Sequence, residues 1–227
     1  MDRYGFQDFI HEARASGRAL SLGILGGSFD PIHNGHLFAG EAVRQELGLD
    51  KVMFLPCGNQ PFKQGRLSAP AEDRLYMTEL ACENNQQFFV SDLEIRRPGL
   101  TYTVDTLREV RQALKGLQVE LHFIIGADSW LRFSRWKEPE TIVDLAHLVV
   151  VGRPGTSERK ARGLWETVPN RHRVSLVDIS APDLSSTQIR DRAAQAKTIR
   201  YLVPDQVETY MRERGLYGFA DGRRQTL

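Results

Sequence analysis

Six runs of mostly apolar residues, each of strand length, divide the first 180 positions of this chain: Leu20 to Leu25, Lys51 to Pro56, Phe88 to Ser91, Val119 to Ile125, His147 to Gly152 and Val174 to Ile179. The segments between them have a helical period. Ala39, Ala42, Val43 and Leu47 fall on one face of a helix over His36 to Gly48, Leu107, Val110 and Leu114 share another, and a further helix is expected near Ala71 to Glu83. Strands that alternate with helices of this size predict a Rossmann-like α/β fold, a doubly wound parallel sheet with right-handed crossovers and helices on both faces. Ligands of such sheets bind beyond the carboxyl ends of the strands, so chemistry is expected in the loops that leave them.

The remaining segments fit around one domain at 20–217, with an N-terminal extension at 1–19 and a short C-terminal tail at 218–227. The extension has helical spacing at Phe6, Phe9, Ile10 and Ala13. Tyr201 to Tyr217 reads as one helical part entered through Pro204 and left at Gly215, with Val207, Tyr210 and Met211 facing inward. The polar stretch Gly152 to Val168 predicts a loop.

Charge excludes several functions. With 30 basic and 29 acidic side chains the net charge is +1, which provides no long-range field to draw the chain onto nucleic acid or an anionic membrane. No stretch approaches the roughly 18 apolar residues of a membrane span, and the first twenty residues lack the apolar core of a secretory signal. Cys57 and Cys82 are too few for a zinc site, so no protein-held metal is expected. These features point to the cytoplasm; they are compatible with a homo-oligomer and do not set its order.

The most informative segment lies between the first strand and the first helix: Gly26-Gly27-Ser28-Phe29-Asp30-Pro31-Ile32-His33-Asn34-Gly35-His36. Glycines let backbone N–H groups approach a polyphosphate, and a helix N-terminus adds unpaired donors and partial positive charge. His33 and His36 can offer imidazole donors to the same phosphates. A lone histidine here would read as a turn or cap residue, but the combination of strand, glycine turn, paired histidines and helix start favours nucleotide binding. The chain lacks both the Gly-Lys-Ser/Thr ending of a P-loop and a G-x-G-x-x-G run. A second run, Ser185-Ser186-Thr187-Gln188-Ile189-Arg190, follows the last strand, where hydroxyls can cap a helix or reach phosphate.

The segment from Gly27 to His36 resembles the H-x-G-H signature of the nucleotidyltransferase superfamily, and the later run resembles the S-S-T-x-I-R signature that completes its ATP site. Three further segments are similar in order and spacing to the bacterial nicotinate mononucleotide adenylyltransferase family. Glu94 to Leu107 resembles the segment ending S-Y-T-x-D-T-L that shapes a pyridine pocket, with Thr101 in place of serine. Ile124-Ile125-Gly126-Ala127-Asp128-Ser129 with Trp136 resembles the I-I-G-x-D-S strand end and its downstream tryptophan, and Gly152-Arg153-Pro154-Gly155 matches as well. One departure stands out: Phe62 precedes Lys63 where the family commonly has a histidine.

The resemblance covers about Leu20 to Tyr217 and implies transfer of AMP from ATP to nicotinate mononucleotide, with Mg²⁺ carried mainly by ATP. It implies catalytic roles for His33, His36 and Arg190. Gly26, Gly27, Ser28, Phe29, Lys63, Gly126, Asp128, Ser186 and Thr187 would contact ATP, and Tyr102, Thr103, Trp136 and Arg153 the pyridine nucleotide. The residue chemistry agrees, because an aromatic face beside hydroxyl or backbone donors suits a flat aromatic acid. In isolation Tyr102 and Trp136 could equally be core aromatics, and Asp128 a cap on the helix after its strand. Nicotinamide mononucleotide or phosphopantetheine as acceptor, and a nucleotide-sensing module without turnover, are the alternatives.

Overall fold

The computed structural model describes residues 5–59, 68–152, 171–179 and 183–219. Six strands form one sheet: β1 (Leu20–Gly27), β2 (Lys51–Pro56), β3 (Phe88–Val90), β4 (Val119–Gly126), β5 (His147–Gly152) and β6 (Val174–Asp178). They lie in the order β3-β2-β1-β4-β5-β6, and every neighbouring pair is parallel. The chain lays strands outward from β1 to β3, then returns past β1 to begin again at β4. That reversal is the switch point of a doubly wound sheet, and it opens a crevice where the carboxyl ends of β1 and β4 diverge. Strand β1 runs two residues beyond the apolar run, because Gly26 and Gly27 pair with Leu55 and Pro56 of β2. The glycines therefore end the strand itself and lie at the edge of the crevice.

Alternation along the strands sorts their side chains between two cores. Val52 and Phe54 of β2, Ile124 of β4 and Val149 of β5 pack on one face, under α2 (Asn34–Glu46), α3 (Ala71–Cys82), α7 (Ser186–Ala194) and α8 (Asp205–Glu213). Met53, Leu55, Phe123, Ile125 and Val150 pack on the other, with α1 (Phe6–Ala15), α4 (Thr103–Ala113) and α6 (Pro139–Leu145). The N-terminal segment belongs to this second core: Phe6, Phe9 and Ile10 are buried, and the Phe9 ring stacks 5.8 Å from Phe89. A short helix, α5 (Ala127–Trp130), follows β4 directly.

The C-terminal helix is shorter than its periodicity suggests. Proline lacks an N–H and turns the preceding residue away from helical backbone, so α8 starts only after Pro204. Gly215, at φ +61°, ends it ahead of a 3₁₀ turn at Leu216–Gly218. Among the described residues no helix is long and apolar enough to cross a membrane.

Candidate nucleotide-transfer site

The segment leaving β1 crosses the mouth of the crevice. A Cβ on Gly27 would sit 2.6 Å from the Phe29 ring, so only glycine leaves room for that ring to fold back under the turn. Phe29 is 1% exposed, packs 5.9 Å from Phe54 and meets His36 edge-on at 5.0 Å. Its ring is a core element, and its backbone is the part that can face a nucleotide. His33 is buried at the N-cap of α2, with its ring stacked 3.6 Å from His36. The His33 N–H donates to His36 Nδ1 at 3.2 Å, which leaves the proton of a neutral His36 ring on Nε2, a donor. Asn34 fixes this corner by donating through its backbone N–H to Leu202 O (2.9 Å) and through Nδ2 to Tyr201 O (2.7 Å).

The second run joins the first directly. Ser185 caps α7, its Oγ accepting from the Gln188 N–H while Gln188 Oε1 accepts from the Ser185 N–H. Ser186 Oγ donates to Pro31 O at 2.9 Å, and Arg190 Nη1 donates to Asp30 O at 2.7 Å. The residues that the sequence assigns to ATP are thus also the bolts that hold the two segments together. Thr187 is exposed one residue into the helix, where it accepts from Arg190 Nη2 at 3.3 Å.

Asp30 organises the junction. Its buried carboxylate accepts from the Ser68 N–H (2.8 Å), the Ala69 N–H (3.0 Å) and the Tyr217 hydroxyl (2.8 Å), with Arg190 Nη1 at 3.8 Å. Burial, then the Asp30 charge, push the Tyr217 phenol above its ordinary range, so it remains a donor. A second latch holds α8 to α3: Tyr210 OH donates to Asp73 at 2.7 Å, and burial and that carboxylate push the phenol up to about 12.

The residues expected to hold the pyridine nucleotide lie on α4 and the segment after β4. Tyr102 caps α4 and Thr103 opens it, both half-buried. Lys137 Nζ lies 4.8 Å above the Tyr102 ring and bonds Asp105 at 2.8 Å, which ties the Trp136 segment beside Tyr102. Trp136 is half-buried, edge-on to Phe123 at 6.3 Å and 5.5 Å from Phe133. Gly126 ends β4 and, like Asp128 in α5, is exposed. Beneath this region Glu94, 6% exposed, accepts from Thr106 Oγ1 at 2.8 Å, and Thr106 in turn accepts from Arg97 Nη1 at 2.7 Å. Burial pushes the Glu94 carboxyl up, against the pull of Thr106, the Arg97 charge and the Gly58 N–H. A Cβ on Gly58 would fall 2.2 Å from Glu94 O, so glycine alone permits this approach. The Thr101 N–H closes the seam at Asn59 O (2.9 Å), next to a cavity of about 340 Å³ lined by Asn59, Arg74 and Arg97 among others.

Lys63 and Arg153, with Phe62 and nearly all of the Gly152 to Val168 stretch, lie outside the described residues. The tasks of Asp30, Glu94, Arg74 and Tyr217 do not follow from the sequence motifs. A proline after Asp30 and a lone arginine among the inward residues of α3 were the available signals.

The cytidylyltransferase-like family model matches residues 24–192. A protein of Desulfitobacterium hafniense strain Y51 named probable nicotinate-nucleotide adenylyltransferase is 44% identical over 201 residues, which cover 86% of this chain and 95% of that one. A protein of the same name from Acidothermus cellulolyticus is 44% identical over 212 residues, 92% of this chain and all of its own length (100%). Among solved structures, nicotinic acid mononucleotide adenylyltransferase of Plasmodium falciparum, complexed with NaAD, superposes with a TM-score of 0.74 over 88% of this chain and 98% of its own, at 20% identity. That likeness is one of fold, and the sequence relatives carry the assignment: this chain belongs to the nicotinate-nucleotide adenylyltransferase family.

Proposed function

We infer that this chain transfers the adenylyl group of ATP to nicotinate mononucleotide, forming nicotinate adenine dinucleotide and pyrophosphate. One observation carries the reading: Arg190 and Ser186 dock on the carbonyls of Asp30 and Pro31, within a few residues of the stacked His33 and His36 rings, at the switch point of the sheet.

The acceptor phosphate is already ionised, so it needs no general base. Its oxygen attacks the α-phosphorus in line, a new P–O bond forms, the bond to the bridging oxygen breaks, and the electron pair leaves with pyrophosphate. Catalysis then consists of aligning two anions and offsetting charge in the transition state. In this reading His36 Nε2–H, His33 and Arg190 donate to the triphosphate, helped by Thr187, Ser186 and the backbone at Gly26 to Phe29. Gly126 and Asp128 border the nucleotide at the end of β4. Tyr102, Thr103 and Trp136 hold the pyridine ring. Lys63 serves phosphate and Arg153 the acceptor, from segments beyond the described residues, and 20–217 forms the catalytic domain.

The donor set suits phosphate better than a bare cation. Asp30 is committed to the fold, and among the described residues no three His, Cys, Asp or Glu side chains gather. A Mg²⁺ ion fits as cargo of the ATP oxygens, retaining most of its waters and offsetting phosphate charge. The two cysteines, both buried and in no disulfide with each other, support action in a reducing cytoplasm.

Pyrophosphate release, measured with ATP and each of nicotinate mononucleotide, nicotinamide mononucleotide and phosphopantetheine, tests the assignment. The nicotinate form should give the highest kcat/KM. A chain that binds ATP yet releases no pyrophosphate with any acceptor is a sensor, and the inference fails.

A further inference from the structure

Arg74 has no part in the reaction just described, yet its position is costly. It is 1% exposed, and no other arginine or lysine among the described residues is buried. A guanidinium keeps its charge when buried, and an isolated buried cation is expensive. Among the described residues no carboxylate forms an ion pair with it, and its Nε has no partner. Its charge is directed at carbonyl groups: Nη1 donates to Ser28 O at 2.6 Å, and Nη2 to Cys57 O at 2.8 Å. Arg74 therefore staples the turn leaving β1 to the end of β2.

The carbonyls of that turn are engaged from the protein side one after another. Gly27 O accepts from the Cys57 N–H (2.8 Å), Ser28 O from Arg74, Asp30 O from Arg190 and Pro31 O from Ser186. In a trans peptide the C=O and N–H point in opposite directions. Pinning Ser28 O toward Arg74 sends the Phe29 N–H the other way, and none of the described residues accepts a hydrogen bond from it. Phe29 is at φ +46°, a left-handed conformation that a bulky side chain adopts only when its surroundings hold it there. A backbone N–H turned out of a left-handed bend is a donor suited to an anion.

We propose that Arg74 is a positioning residue for ATP: by gripping the Ser28 carbonyl it turns the Phe29 N–H outward as a phosphate donor and sets a fixed positive charge behind the turn. The inference rests on the proposed binding of ATP at this turn. A guanidinium whose only duty were to join β1 and β2 would affect folding without distinguishing the two substrates.

R74K keeps the charge and loses the two-pronged grip; R74M loses both. Binding of ATP alone, of inorganic pyrophosphate and of nicotinate mononucleotide alone is measured by calorimetry on each variant, with circular dichroism confirming the fold. Loss of one charge-assisted contact predicts an ATP and pyrophosphate Kd about 10- to 100-fold higher in R74M, with R74K between it and the parent. The nicotinate mononucleotide Kd should stay within about twofold, a fifth of the predicted ATP effect or less. Unchanged ATP affinity in the folded variants overturns the proposal. So does an equal loss for the acceptor, which would assign Arg74 to the neighbouring cavity, or loss of the native fold in both variants, which would make it structural. A parent protein that does not bind ATP, or binds it just as well as H36A, would refute the underlying reading and leave these measurements without their premise.

Discussion

Two buried carboxylates lie under the two halves of the crevice, and they are treated in opposite ways. On the triphosphate side Asp30 is surrounded by donors: two backbone N–H groups, a tyrosine hydroxyl and the Arg190 guanidinium. In the other half Glu94 has the Thr106 hydroxyl, the Arg97 charge and the Gly58 N–H, and burial outweighs them, pushing its carboxyl up. The first arrangement locks a turn whose outward face, in the proposed reading, presents donors to a polyanion. The second braces a region that carries the half-buried rings of Tyr102 and Trp136. A triphosphate is recognised by many fixed dipoles and a pyridine ring by a shaped, partly dry surface, so rigidity comes from saturated hydrogen bonding in one half and from packing in the other.

If the halves divide the work in this way, damage to each should register on a different substrate. The largest effect is expected at His36. H36A removes the Nε2 donor while leaving the backbone of α2 intact, and should lower kcat by about 10²–10³, the scale of one lost transition-state donor, with its melting temperature close to the parent's. Pyrophosphate release at saturating ATP and acceptor checks it, and a variant with parental turnover would remove His36 from the mechanism. D30N should come next, chiefly as lost stability. An amide in place of the carboxylate cannot accept from all the donors now facing it, and should cost about 2 kcal/mol in urea unfolding. A D30N protein as stable as the parent would contradict the role of Asp30 as the junction.

These two residues also show how far sequence alone reached. His33 and His36 were legible because the chemistry and the local order of strand, glycines and helix coincide within eleven residues, and the doubly wound sheet was legible because its period is written in every strand. Asp30 was quoted but given no task, since its partners come from Ser68, Tyr217 and Arg190, far apart along the chain and brought together only by tertiary packing. Arg74 is hidden for a related reason: a charged residue in a helix defaults to the solvent face, and only its place among the inward residues of α3 speaks against that. Helix α6 is not legible because its seven residues are too few to express a period, and α5, four residues long, shows only through the cap position of Asp128. Pro204 and Gly215 mark the ends of the C-terminal helix in the sequence, and the apolar spacing that runs on to Tyr201 and Tyr217 lies outside it.

On the acceptor side the expected effect is smaller and of a different kind. Trp136 already packs on Phe123 and Phe133, so W136A removes one aromatic wall and should raise the acceptor KM about tenfold, roughly 1.4 kcal/mol, with the KM for ATP nearly unchanged. Initial rates with each substrate varied in turn separate the two. If W136A raised the KM for ATP as much as that for the acceptor, the division of the crevice into two halves would not stand.

The smallest effect concerns Glu94 and is read from pH rather than from rate. Its carboxyl is raised in the folded chain above the ordinary value of 4.5, burial being the chief cause. The folded protein therefore holds this proton more tightly than the unfolded one. The stabilisation from that difference is present in full below the unfolded value and is lost as pH rises through the folded one. E94Q has no such proton to lose. From pH 4.5 upward the parent should thus lose stability relative to E94Q, and the gap in urea midpoint between them should drift steadily in favour of the variant before levelling off. Asp30 offers the geometric contrast, with three hydrogen-bond donors on its carboxylate and the Arg190 guanidinium beside them. A parent and E94Q pair whose stability difference stayed flat across that window would mean that Thr106, Arg97 and Gly58 hold Glu94 as firmly as the Asp30 donors hold their carboxylate, and the two halves would then be braced alike.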